Sequence, residues 1–485
     1  MGIVANQSIK NVIITCLGFG IGAINTLFLF TKFLEEEYYG LVSYLFSASN
    51  IIWPLMAFGV HNTVVKFYSS YSDKKEQNKF MTIMLILPMC VAIIIGAVGT
   101  VFYEHVLSYF EEDNTIVQPY VWTIYVLAIA LSYFEIFFAW AKVKLKSVFG
   151  NILKELFVRT CLMVLLFLVY LEVITVVQFI YAIVFVYIAR LCIMAIYVYR
   201  LLNFSFSFSL PSNFINVFKY SLLILLAGSV ATLLIDLDKT MIERYLPIEY
   251  VAKYGICAYI ASVIIIPSRA MHQITYPLTA KLINEKNFEQ LRILYQKSSL
   301  NLFAISGLLF VLIICNVNQL FELIPDEYEL FIWVVILIGI AKLFDNVLGN
   351  NNSIIFNSDY YRLILYIGIA MAVIAFVLNW LLIPVYGVVG AAIATSMAVF
   401  CYNTAKVFLV NIKFKMQPFS KKTFLIVIMI LAFVYGFYFW DFTFHPVVNI
   451  GLKSTLIGGV YVGVLYFLRV SDDINDIIKK IPRGA

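Results

Sequence analysis

Charge is scarce in this chain, and the places where it is scarcest decide the class. Lys, Arg, Asp and Glu make up 13% of 485 residues, against 62% hydrophobic ones. A water-soluble fold of this length needs far more polar surface to cover its core. Long polar stretches are also missing. No loop exceeds about 20 residues, too few for an extramembrane domain that folds by itself. The first ten residues, MGIVANQSIK, lack a small-residue cleavage site, so residues 11–33 are expected to stay as a span. Cysteine offers no framework either. Cys16, Cys90, Cys161, Cys192, Cys257, Cys315 and Cys401 all lie in apolar runs without ligand spacing and read as small hydrophobes. No His, Glu and Asp residues share a catalytic spacing, and His105 and His445 stand alone, so neither an enzyme nor a metal site is expected.

What the chain does have is apolar runs long enough to cross a bilayer. Fourteen are read, spans one to fourteen in order: 11–33, 39–65, 80–102, 118–141, 149–171, 175–199, 214–240, 250–277, 298–321, 329–349, 360–383, 386–410, 422–440 and 447–468. A helical span takes about 20 apolar residues, and backbone in hydrocarbon must satisfy its own hydrogen bonds. The fold class is therefore all-α, a polytopic membrane protein of about 14 transmembrane helices.

The net charge of +6 matters through its placement and signals no nucleic acid. With the N-terminus inside, 22 Lys and Arg fall in inner segments, and only Lys32 and Arg244 in the opposite loops. That asymmetry obeys the positive-inside rule and predicts both termini in the cytoplasm. The outer loops are acidic, as in TVFYEHVLSYFEEDN and at Glu322, Asp326, Glu327 and Glu329. These acidic residues read as solvated surface.

A diverged repeat runs through the chain. Span two opens on Tyr39, Gly40 and Tyr44, then reaches Pro54 and His61. Span eight opens on Tyr254, Gly255 and Tyr259, then reaches Pro267 and His272. Six spans separate the two, so both enter from the same face. The pattern predicts two six-helix lobes related by pseudo-symmetry, an architecture used by transporters. The expected divisions are 1–200 for the N-terminal lobe, 201–213 for a cytoplasmic linker and 214–412 for the second lobe. The two added helices take 413–470, and the tail 471–485. The linker LLNFSFSFSLPSNF alternates Phe and Ser.

Ionisable residues at membrane depth are costly unless they face a cavity or a partner, so function is sought there. Arg269, His272 and Gln273 share one face of span eight, next to Pro267, which removes a helix donor. The Arg fork donates two hydrogen bonds at once to a phosphate. Arg190 lies too deep in span six for easy snorkelling. Arg159 has Glu155 four residues before it. Lys342 and Asp345 are spaced as a pair in span ten, followed by Asn346 and Asn350 to Asn352. Arg269, His272, Gln273, Arg190, Arg159 and Lys342 are the candidate substrate-binding residues. Lys66, Lys219 and Lys406 read as snorkelling cations. Glu135, with no basic residue within the preceding turn, is the cleanest coupling candidate. Asp236, Asp238 and Asp345 follow, and Lys239 or Arg244 would pair with Asp238. A desolvated carboxylate can bind a proton, or ligate Na⁺. Pro54, Pro267, Gly18, Gly20 and Gly22 are candidate hinge or gate positions. The three glycines allow close packing and form no dinucleotide motif.

Three stretches carry a family resemblance: residues 17–60; residues 235–267 with Asp238, Lys239, Met241 and Ile242; and LNWLLIPVYGVVGAAIATS, residues 378–396, with Asn379, Pro384, Gly387, Gly390, Ala391, Ala392 and Thr395. Together with the order of spans they resemble the multidrug/oligosaccharidyl-lipid/polysaccharide (MOP) exporter superfamily. The likeness is to its polysaccharide branch, nearest to Wzx-type flippases of O-antigen or capsule repeat units. The resemblance implies two lobes around a cavity that opens alternately to each side. It implies as substrate an undecaprenyl-pyrophosphate-linked oligosaccharide, turned over in the bacterial inner membrane. It implies no cofactor beyond coupling to H⁺ or Na⁺. The partners it implies are membrane lipids and polysaccharide polymerase or export proteins. The rival readings are a multidrug exporter of the same superfamily and a membrane enzyme such as an O-antigen polymerase. The first favours cationic substrates, whereas this chain holds deep arginines. The second usually carries a large outer loop, which this chain lacks.

Overall fold

The computed structural model describes residues 3–110, 112–144, 146–203 and 205–480. The side chains at 3–6, 8, 9, 109, 112, 113, 226–235, 273, 361, 364, 365 and 477–480 lie outside the description, and with them the predicted site residue Gln273. All regular elements among the described residues are helical. Nine of these helices are long and apolar enough to cross a membrane. Each of the fourteen apolar runs falls largely on helix. Several are interrupted or joined, and each departure has a local cause. Runs eleven and twelve form one element, Tyr361–Phe414, bent at Gly387, where φ is 58° and ψ −139°. Only glycine adopts that conformation readily.

Packing divides the chain into two compact units, Met1–Gly255 with Asn379–Gly387, and Ile256–Leu378 with Val388–Ala485. The lobe boundaries read from the repeat lie elsewhere. The helix Phe214–Tyr245, assigned there to the second lobe, packs against Glu36–Ala57 and Val60–Phe67 in the first unit.

Within the first unit, Glu36–Ala57 also packs on Val121–Val143, which in turn packs on Val176–Leu202. Phe80, Met84, Phe134, Trp140, Met194 and Val198 form the core on that side. Hydrocarbon supplies no solvent-driven collapse between spans, so such contacts stabilise through close packing. Gly18 shows how close. A Cβ there would lie 2.7 Å from Arg159 Nη1 and 2.8 Å from the Glu155 carbonyl. Gly20 meets nothing within 4 Å, and Gly22 is buried. Spans one and five each contain a π-turn, Asn25–Leu29 and Leu153–Phe157. The two spans touch there, and the Asn25 amide donates to the Arg159 carbonyl at 2.8 Å.

The linker is fastened to the end of span three. Asn78 donates to Ser205 Oγ, the Ser207 amide donates to Thr82 Oγ1, the Ser212 amide donates to Glu76, and the Tyr71 hydroxyl donates to Asn213. The Phe–Ser alternation then has a physical sense. The serines bond inward, and the Phe206 and Phe208 rings stand exposed.

Within the second unit, Phe288–Phe321 is the central helix. Ile266–Asn284, Ile332–Val347, Lys421–Phe437 and Pro446–Phe467 pack around it. Lys453 is fully buried and donates to the Cys315 carbonyl at 2.6 Å and to Asp441 at 2.7 Å. It thereby pins span fourteen to span nine.

Candidate functional site

The two prolines of the repeat mark breaks, on opposite sides of each proline. Pro54 lies inside its helix, which stops at Phe58 and Gly59, with φ of 48° and 67°. A side chain at Gly59 would meet the Ser221 carbonyl at 2.5 Å. The helix resumes at Val60, and His61 follows beside Trp53, with ring centroids 5.5 Å apart. Pro267 instead opens the helix Ile266–Asn284, directly after the tight turn Val263–Ile265. Proline is tolerated in a first turn, where its missing N–H has no intrahelical partner.

In the first unit the breaks and π-turns gather one network of ionisable side chains. Lys154, on the π-turn of span five, donates to Glu135 of span four at 2.5 Å. Both lie about 12–14 Å along their helices from the basic loop at Lys144 and Lys146. Glu135, which has no basic residue within the preceding turn of its own helix, is therefore paired. The partner comes from another span, where spacing within one helix gives no warning. Its other charged neighbours are Lys142 and His61. Arg159 lies 3.0 Å from Glu155, as the i, i+4 spacing predicted. Arg190 is 4% exposed, with its guanidinium carbon 4.0 Å from the centre of the Phe134 ring and 4.7 Å from that of Tyr187. Its Nε and Nη2 make no hydrogen bond among the described residues. The carboxylates acting on it are Glu135 and Glu155.

At the other end of this unit Asp238 is buried. It accepts from the Tyr254 hydroxyl and, at 3.2 Å, from the Asn379 amide. Lys239, expected as a partner of Asp238, lies 3.9 Å from Asp236 instead. The i, i+3 spacing favours that pairing over the adjacent residue, which faces elsewhere. Lys253 of span eight pairs with Glu36 at 2.9 Å.

The second unit holds a smaller cluster. Asp345 pairs with Lys406 at 3.5 Å, and Lys406 also donates to Asn352 at 3.1 Å. This corrects two expectations. No carboxylate among the described residues lies within ion-pair distance of Lys342, and Lys406 does not snorkel but is 2% exposed. Its span turns the lysine inward, where Asp345 compensates the charge. His272 faces this pair electrostatically, and Arg269 is exposed one turn before it. The asparagine run fastens the end of span ten. Asn346 donates to the Ile264 carbonyl and Ser306, Asn350 to Thr279, and Asn351 to Tyr295. Sequence reasoning missed Lys154 and Lys253 and gave Lys406 the wrong role. Their signal was present, since each is a lysine inside an apolar run.

The multi-span helical fold that carries these broken spans and ionisable clusters is shared with solved membrane-protein structures. The chain matches a lipid II flippase MurJ in its inward closed conformation at TM-score 0.71 and 14% identity, covering 96% of this chain and 100% of that one. A multidrug resistance MATE family transporter of the MOP superfamily, inward-facing, gives TM-score 0.63 at 13% identity, covering 84% and 98%. A MOP superfamily transporter from Pyrococcus furiosus gives 0.57 at 13%, covering 85% and 96%. These likenesses show the fold. The profile of the polysaccharide biosynthesis protein family matches residues 8–283, more than half of the chain, and the MatE profile matches 224–381. The chain belongs to the polysaccharide biosynthesis protein family. No curated protein sequence matches it.

Proposed function

We propose that the protein is a flippase for undecaprenyl-pyrophosphate-linked oligosaccharide repeat units, of the Wzx type, working by alternating access in the bacterial inner membrane with both termini inside. One observation carries the reading. The linked network of the first unit sets three cations inside the spans, Lys154, Arg159 and Arg190, with Lys142 at the inner end of span four, against two carboxylates, Glu135 and Glu155. Bringing uncompensated positive charge into the spans is costly unless an anion offsets it. The surplus suits a lipid diphosphate and disfavours a cationic drug. Arg269, His272, Gln273 and Lys342 supply the same chemistry from the second unit. An apolar cavity of about 420 Å³ in the first unit and another of about 660 Å³ in the second offer room for isoprenoid or lipid chains. Coupling to H⁺ or Na⁺ falls to Glu135, Asp236, Asp238 or Asp345. Asp238 with Tyr254 and Asn379 provides the oxygen donors such an ion takes.

The test is transport in proteoliposomes loaded with undecaprenyl-pyrophosphate-linked oligosaccharide, read by lectin accessibility across the bilayer. The native protein should move the glycan lipid. Arg269→Ala should abolish movement with the protein still inserted, and Arg269→Lys should restore only part, because a point charge lacks the fork. Efflux of a cationic dye without movement of the glycan lipid would assign the protein to drug export instead.

A further inference from the structure

We propose that Lys154 is an anion-binding residue which Glu135 holds in reserve, and that Arg190 takes Glu135 over when Lys154 turns to the lipid diphosphate. The inference rests on the flippase reading above and names the residues that would exchange charge within it. Three observations carry it. First, Lys154 is the accessible member of its pair, with its side chain 43% exposed against 13% for Glu135. It can leave toward a ligand without pulling a buried charge through apolar packing. Second, it sits on a π-turn, whose looser hydrogen bonding makes such segments recurrent at functional sites. Third, a carboxylate receiver is already in place. Arg190 is buried, keeps two donors unfilled among the described residues, and has Glu135 among the carboxylates acting on it. A buried guanidinium with open donors is an expensive arrangement for a purely structural role.

The hand-over leaves Glu135 paired with a cation at each step. With no ligand, Glu135 neutralises Lys154, and Arg190 is held by the faces of Phe134 and Tyr187. With a diphosphate present, Lys154 donates to phosphate oxygens, and Glu135 fills the donors of Arg190. Neither carboxylate is then left beside the anion without a cation. A simple ion pair would hold spans four and five together in both states and would leave Arg190 unfilled throughout.

The experiment measures affinity of the purified full chain in nanodiscs for undecaprenyl pyrophosphate, with undecaprenol as the uncharged control. Lys154→Gln should weaken diphosphate binding roughly tenfold, the value of one charge-assisted hydrogen bond. Glu135→Gln should tighten it, and that tightening should vanish in Glu135→Gln/Lys154→Gln, a non-additivity that a long-range field does not produce. Arg190→Met should weaken binding in the native background and not in Glu135→Gln. The exchange Glu135→Lys/Lys154→Glu restores the pair, and so thermal stability, but should not restore binding. Normal binding by that exchange variant, or additive effects of Glu135→Gln and Lys154→Gln, would overturn the proposal and leave the flippase reading standing. Equal weakening by Arg190→Met in both backgrounds would overturn the hand-over to Arg190. Equal affinity of the native protein for undecaprenol and its diphosphate would overturn the flippase reading itself.

Discussion

Single residues carry unequal weight within one ion pair, and Lys406 with Asp345 shows it. Lys406 is 2% exposed, whereas Asp345 is 31% exposed. Removing the carboxylate strands a buried ammonium, while removing the ammonium leaves a carboxylate that water still reaches. Breaking a buried pair from its exposed end costs about 3–5 kcal/mol, because the remaining charge has no solvent. Asp345→Asn should therefore lower the thermal midpoint in detergent clearly more than Lys406→Met, and Lys406→Met should suppress the defect of Asp345→Asn. An equal loss for both single variants would mean that water reaches Lys406 as well. The same asymmetry explains what the sequence concealed. Arg159 and Glu155 were legible because spacing along one helix predicts their meeting. Lys154 with Glu135, and Lys406 with Asp345, meet across spans, and hydropathy does not say which face of a span turns inward.

Elements in this fold are defined as much by their interruptions as by their length. Spans two and eight stop and restart within the run, at Gly59 and at Pro267, and span ten stops at its own last residue, Gly349, before a short helix resumes at Asn351. Gly349 is as tightly held as Gly59. Its φ is 56°, and a Cβ would lie 2.6 Å from the Ser299 amide nitrogen and 2.7 Å from Ser298 Oγ. Gly349→Ala should cost about 2 kcal/mol or more, since it joins a strained φ to a backbone clash. Gly20→Ala, with open space around it, should leave the thermal midpoint and transport unchanged. The existence and order of the spans could be read from apolar run length, because hydrocarbon demands that length. The interruptions could be located only by their prolines and glycines. The π-turns leave no such signature, since Asn25–Leu29 and Leu153–Phe157 use ordinary helix formers.

For the molecule as a whole, the distribution of lysine and arginine predicts orientation. Reporter fusions at Asn114 and Asp326 should read as outside, and those at Lys75, Lys286 and Lys421 as inside. An outside reading at Lys286 would mean that a span has been miscounted and would undo the six-span offset of the repeat. The outer ends of the spans fit the same orientation from the other direction. Their cations Lys239 and Lys253 each pair with a carboxylate, Asp236 and Glu36, so little positive charge is left free there. The π-turns also bear on chain length. Each represents one residue more than a regular helix would hold. Deleting a single residue from Leu153–Phe157 would let the turn relax to α-helix and leave the flanks of span five nearly in register, because the wide turn already absorbs the rotation of its extra residue. Lys154 would then lose the loose turn it stands on although no side chain beyond the deletion had been altered. A one-residue deletion should therefore be tolerated by the span at its π-turn and poorly tolerated in the regular helix on either side, where it would swing one flank against the other by about 100°.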